Sequence, residues 1–138
     1  MSIQENPMTG YEFRKPKPYL SEKDTSDRTD ANGFDSFGLH PRVMAGVRGA
    51  GYTEPTPIQA QTIPLALQGR DVIGLAQTGT GKTAAFALPL LHRLLPGPRG
   101  RVRALIISPT RELAEQIYES ICSLGRSTGL RCTAIYGG

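Results

Sequence analysis

Eight consecutive residues, Ala76-Gln77-Thr78-Gly79-Thr80-Gly81-Lys82-Thr83, carry the groups needed to hold a polyphosphate. Glycines let backbone N–H groups turn inward and approach phosphate oxygens with no Cβ in the way. The Lys82 ammonium adds a full charge for the β- and γ-phosphates, and the Thr83 hydroxyl is a hard oxygen ligand suited to Mg2+. The spacing is that of a phosphate-binding P-loop, with Ala76 where the first glycine usually stands. Context decides against a plain Gly-rich turn. The apolar run Asp71-Val72-Ile73-Gly74-Leu75 reads as a strand, and Ala84-Ala85-Phe86-Ala87-Leu88 reads as a helix. A helix opening near Lys82 points its positive dipole end at the same anion.

Further polar groups lie upstream and downstream. In Gly51-Tyr52-Thr53-Glu54-Pro55-Thr56-Pro57-Ile58-Gln59, Thr56 and Gln59 have capping-box spacing, with Pro57 at the first helical position. Gln59 therefore has two readings. Its side chain reaches back to its own helix start, or its amide presents a donor and an acceptor to a base edge, the pair that adenine matches. Arg111 also has two, a solvated charge at a helix start or a phosphate contact. His40 and His92 are isolated and receive no role. Cys122 and Cys132 have no partners at metal-ligand spacing and read as packing residues in a reducing cytosol.

The elements that must position these groups follow from composition. The chain has 138 residues, enough for one small domain. Residues 1–33 carry five basic and six acidic side chains and little to bury, and read as a disordered extension. Residues 34–138 carry eleven basic and six acidic side chains, a balance that favours polyanions. No apolar run approaches the length needed to cross a bilayer, and the first residues show no signal-peptide pattern.

From Phe34 the pattern becomes foldable. Pro41 starts a helix with Val43, Met44 and Val47 on one face, ended by Gly49 and Gly51. A second helix follows Thr56, bent at Pro64 and stopped at Gln68-Gly69. The helix after the P-loop is expected to kink at Pro89, and Pro96 to Arg101 is an exposed, mobile, basic loop. Ala104-Leu105-Ile106-Ile107 and Cys132 to Tyr136 read as further buried strands. Between them Leu113, Ile117, Ile121 and Leu124 give a helix one face toward a sheet. The expected fold is α/β, a parallel sheet with right-handed crossovers. The P-loop, Pro109 to Arg111 and Gly137-Gly138 should then share the carboxyl edge of that sheet.

Taken together these residues resemble the DEAD-box RNA helicases. Phe34 stands like that family's isolated upstream aromatic. Gly51 to Gln59 looks like its adenine-recognising Q motif, and Ala76 to Thr83 like its motif I, where Ala is common at the first position. Pro109-Thr110-Arg111-Glu112-Leu113-Ala114 resembles motif Ia, and Gly137-Gly138 the GG element. The resemblance implies a partial RecA-like domain over 34–138 and an ATP-dependent enzyme that separates short RNA duplexes in the cytoplasm. It further implies that Phe34, Tyr52 and Gln59 serve the adenine. Ala76, Gln77, Thr78, Gly79, Thr80, Gly81, Lys82 and Thr83 would hold phosphates, with Thr83 on Mg2+ and Lys82 and Thr83 nearest the chemistry. Pro109, Thr110, Arg111, Gly137 and Gly138 would touch the RNA backbone without reading sequence.

The resemblance stops before the family's Asp-Glu-Ala-Asp motif, and no acid among Asp71, Glu112, Glu115 and Glu119 ends an apolar strand. The expectation is a nucleotide-binding portion that is inactive by itself. A GTPase or nucleotide kinase shares the P-loop but not the Gln59 and Pro109-to-Leu113 stretches. A non-enzymatic nucleotide-binding fragment is the other alternative.

Overall fold

The computed structural model describes residues 33–137. Residues 1–32, the bulk of the expected disordered extension, lie outside the described residues, as does Gly138. A short 3-10 helix, Gly33–Phe37, precedes four α-helices: α1 Pro41–Gly49, α2 Pro57–Leu67, α3 Lys82–Leu94 and α4 Arg111–Leu124. α3 is central, packed along α2 on one side and against α1 and α4 on the other.

Local chemistry explains the ends. Pro41 and Pro57 supply helix-ready φ angles in the first turns of α1 and α2. α1 ends in a Schellman motif: Gly51 adopts φ 76°, its N–H donates to the Arg48 carbonyl, and the Tyr52 N–H donates to the Val47 carbonyl. α2 ends the same way at Gly69. Both helices that contain an internal proline run on through it, α2 across Pro64 and α3 across the buried Pro89.

The core is a helical one. Phe34, Val43, Val47, Ile63, Ala87 and Leu88 are fully buried, joined by Leu91 and Leu124. A close approach fixes α1 on the end of α4: a Cβ on Gly46 would stand 1.8 Å from the Leu124 carbonyl oxygen. Only glycine admits that contact.

The expected parallel sheet is absent among the described residues, where no strand forms. The three apolar segments form no ladder, and Ile73, Leu75, Val102, Leu105, Ile107 and Ile135 are each more than 80 % exposed. Leu113, at the start of α4, is 39 % exposed for the same reason, since no sheet covers that helix, while Ile121 and Leu124 bury against α1 and α3. Apolar runs specify a wish for burial; pairing needs a partner backbone as well. Among the described residues no helix is long and apolar enough to cross a membrane.

Hydrogen bonds set which helix ends lie together. α2 and α3 both start at the phosphate loop, and their far ends are joined by Arg93, whose Nη1 donates to the Ala66 carbonyl. The His40 N–H at the head of α1 donates to Nδ1 of His92 near the end of α3, 3.0 Å away. Arg99, beyond α3, donates to the Thr128 carbonyl in the turn that follows α4. The layer thus has a phosphate-loop end and, about 20 Å away along α3, a remote end.

Candidate nucleotide site

The loop from Ala76 to Thr83 has the shape its glycines allow. Gly79 and Gly81 take φ of 79° and 87°, the left-handed region open to glycine. No backbone N–H from residue 77 to residue 84 has an acceptor among the described residues. The first return bond is Ala85 N–H to the Gly81 carbonyl. A Cβ at Gly79 would meet nothing within 4 Å, so the loop faces open space there. Lys82 folds its ammonium back onto the carbonyls of Ala76 and Gln77. The Thr80 hydroxyl donates to the Gln77 carbonyl at 2.8 Å, tightening the same turn.

This arrangement can receive a polyphosphate. The donors are unspent, they adjoin the N-terminus of α3, and Lys82 is held at the loop by carbonyls that an anion can replace. Thr83 is half-buried at the first turn of α3. No group of three or more His, Cys, Asp or Glu able to hold a metal exists among the described residues. The Thr83 hydroxyl is the hard oxygen at this turn that would suit a magnesium ion.

Gln59 does what the capping reading requires, and more. Its Oε1 accepts from the Thr56 N–H at 2.9 Å, and its Nε2 donates to the Gly81 carbonyl at 3.1 Å. The Thr56 hydroxyl donates to the Thr80 carbonyl at 2.8 Å. The start of α2 is thus bolted to the last turn of the phosphate loop. At 2 % exposure, Gln59 keeps one lone pair and one amide hydrogen unspent.

The aromatic candidates divide. Phe34 is fully buried, with its ring stacked on Tyr52 at 6.0 Å and edge-on to Phe37 at 5.8 Å. Tyr52 is the more exposed of the two stacked rings, and Phe34 backs it. A cleft of 390 Å3 opens beside the loop between Thr56, Ile58, Gln61, Leu75 and Thr80; neither Lys82 nor Tyr52 lines it.

The downstream candidates come together. Thr110 caps α4, its hydroxyl accepting from the Leu113 N–H at 3.2 Å. The Arg111 guanidinium lies over the Tyr136 ring, 5.0 Å from its centre, which brings Pro109 to Arg111 beside Gly137. Arg111 is exposed, so its outer face is available to an anion.

Several residues carry structure that local pattern does not reveal. His40 caps α1 through Nδ1, accepting from the Arg42 N–H, and is tied to His92 as described. Burial first, then the charges of His40 and Arg93, lower the His92 pKa from 6.5. Arg103 donates to the Leu94 carbonyl at 2.6 Å and closes α3. Cys122 and Cys132 are exposed, which corrects the packing role expected of them. Partial burial and the proximity of Cys122 push the Cys132 thiol upward.

Comparison with known proteins identifies the family. The family model for DEAD/DEAH box helicases matches residues 56–138. The chain is 46 % identical over 120 residues to the ATP-dependent RNA helicase DBP10 of Candida albicans, covering 87 % of this chain and 13 % of that one. It is similar to the RNA helicase Prp28 of Chaetomium thermophilum bound to ADP, with TM-score 0.71 and 43 % identity over 82 % of this chain and 28 % of that one. It is also similar to S. cerevisiae Dbp5 bound to RNA and ADP BeF3, with TM-score 0.66 and 38 % identity over 71 % of this chain and 25 % of that one. The chain thus spans well under a third of the length of these relatives. With the family model matched over residues 56–138, more than half of its length, the chain belongs to the DEAD/DEAH box helicase family.

Proposed function

We propose that this chain is the ATP-binding part of an ATP-dependent RNA helicase, in which RNA-stimulated ATP hydrolysis is coupled to local separation of RNA duplexes. The observation that carries the nucleotide half is the unbroken run of unspent backbone donors from 77 to 84, with Lys82 at its mouth. On this reading Lys82 exchanges two loop carbonyls for phosphate oxygens, Thr83 offers its hydroxyl to Mg2+, and the α3 N–H groups hold the anion. The metal supplies neutralisation of charge on the phosphates. Tyr52, backed by Phe34, and the remaining lone pair and amide hydrogen of Gln59 serve the adenine. Thr110, Arg111 and Gly137 take RNA phosphates, in keeping with the RNA in the Dbp5 complex. The segments around 71–75, 104–108 and 132–136 are the strands of a RecA-like parallel sheet.

Lys82→Ala tests the nucleotide site. A charge-assisted contact contributes about 1.5–3 kcal/mol, so ADP affinity by calorimetric titration should fall about tenfold or more. Equal affinity in a folded variant would overturn the assignment.

A further inference from the structure

We infer that the remote end of the helical layer, opposite the phosphate loop, is a second nucleic-acid surface that takes the phosphodiester backbone of a single strand. Four arginines carry it: Arg99 and Arg101 in the loop after α3, and Arg126 and Arg131 around the turn after α4. All four are exposed. The bond from Arg99 Nη2 to the Thr128 carbonyl, 3.3 Å long, lays the first pair across the turn that holds the second. Arg103, bonded to the Leu94 carbonyl, anchors the root of the loop to the end of α3. The two segments that carry the four arginines are therefore neighbours in space although up to 32 positions separate those residues in sequence.

Among the described residues the charge has no acid within the patch to neutralise it. No Asp or Glu occurs from residue 72 to 111 or from 120 to 138. On the packed elements the nearest acids are Glu119, about a turn and a half back along α4, and Asp71, just beyond the end of α2. The one salt bridge among the described residues, Arg48 to Asp35, is elsewhere. Arg101, Arg126 and Arg131 form no ion pair. Both helices also end here, and their carbonyl ends favour cations, which helps keep the arginines gathered without cancelling them.

The chemistry favours phosphates over carboxylates on a folded partner. Every cation in the patch is a guanidinium, whose planar fork matches phosphate oxygens bidentately. The loop Pro96-Gly97-Pro98-Arg99-Gly100-Arg101 sets Arg99 between two glycines, with Gly100 at φ 78° and open space around its missing Cβ. Such a loop can follow an irregular backbone rather than one rigid shape. The surface is separate from the Arg111 turn, which lies at the opposite end of α4, so it would hold a strand at a second point of the same domain.

The test measures binding of fluorescein-labelled oligouridine and oligothymidine by anisotropy across a salt series, with the full chain and no nucleotide. Each phosphate contact contributes about −0.7 to the log–log salt slope for single strands. Arg99→Ala with Arg101→Ala should make the slope shallower by about 1.4, and Arg126→Ala with Arg131→Ala should do the same. Arg111→Ala serves as the comparison and should reduce the slope by about 0.7 on its own, independently. All five side chains are exposed, and circular dichroism confirms the fold of each variant. Oligouridine and oligothymidine bound alike at this end would identify the shared phosphodiester as the ligand. An unchanged slope in both remote-end double variants, or displacement of the strand by polyglutamate at equal charge concentration, would overturn the proposal.

Discussion

Gln59 spends both ends of its amide inside the protein, and this alters what its removal should do. Truncation strands the Thr56 N–H and the Gly81 carbonyl together, each part-buried. Two lost bonds of roughly 1–1.5 kcal/mol apiece give an expected destabilisation of about 2–3 kcal/mol for Gln59→Ala in urea unfolding. Gln59→Glu separates the two bonds. It keeps an acceptor for Thr56 but sets an oxygen against the Gly81 carbonyl, so the glutamate variant should lose ADP affinity even where α2 stays capped. A glutamate variant with wild-type affinity would show that the Gly81 bond does not shape the loop. His92 gives a pH signature. Its Nδ1 accepts from His40 N–H, so the folded state prefers the neutral ring, and burial first, then His40 and Arg93, lower its pKa below 6.5. The unfolded chain binds the proton more readily, so this contribution is full above pH 6.5 and is lost as pH falls below that value. The urea midpoint should drop through that window in the wild type and drop less in His92→Gln. Parallel pH profiles would remove the His92 tie as the cause.

At the level of elements, what could be read in advance was what neighbours in sequence decide. Pro41, Pro57, the Thr56–Gln59 spacing and the Gln68-Gly69 stop all located their helices, because caps and turns are local chemistry. The loop glycines were legible for the same reason. The His40–His92 bond spans 52 residues and the Gly46–Leu124 approach spans 78, and no window of sequence contains either pair. A strand ladder is likewise beyond any such window. Residues 104–107 state their apolarity plainly, but a ladder belongs to two segments at once. Gly46 offers a clean test of such a long-range constraint. Alanine is the better helix former by about 1 kcal/mol, so an unconstrained glycine in α1 should gain from replacement. At Gly46 the new methyl meets the Leu124 backbone at 1.8 Å, and overpacking against backbone costs about 1–3 kcal/mol or more. Gly46→Ala should destabilise, whereas Gly49→Ala, with nothing within 4 Å, should be neutral or slightly stabilising. Equal thermal midpoints for the two variants would contradict the close approach of α1 to α4.

For the molecule as a whole, the imbalance between what is covered and what is not dominates its behaviour in solution. The helices bury a compact core, yet Ile73, Leu75, Val102, Leu105, Ile107 and Ile135 stand 81–92 % exposed on extended backbone with no ladder partner among the described residues. Each such side chain forgoes about 1.5–3 kcal/mol of burial, and contiguous apolar surface of this kind marks a contact face. An extended apolar segment with free N–H and C=O groups is also a template for a strand from another copy. The phosphate loop and its neighbours should be unaffected by such pairing, because their brace runs through Thr56 and Gln59 and not through the segments. The chain alone should therefore bind a hydrophobic dye, and its sedimentation coefficient should rise with concentration. Placing charges on the segments, Leu105→Lys with Ile107→Lys, should reduce both dye binding and association without weakening ADP binding. A sharp monomer boundary over a hundredfold range of concentration, with no dye signal, would mean that these segments find burial within the single chain.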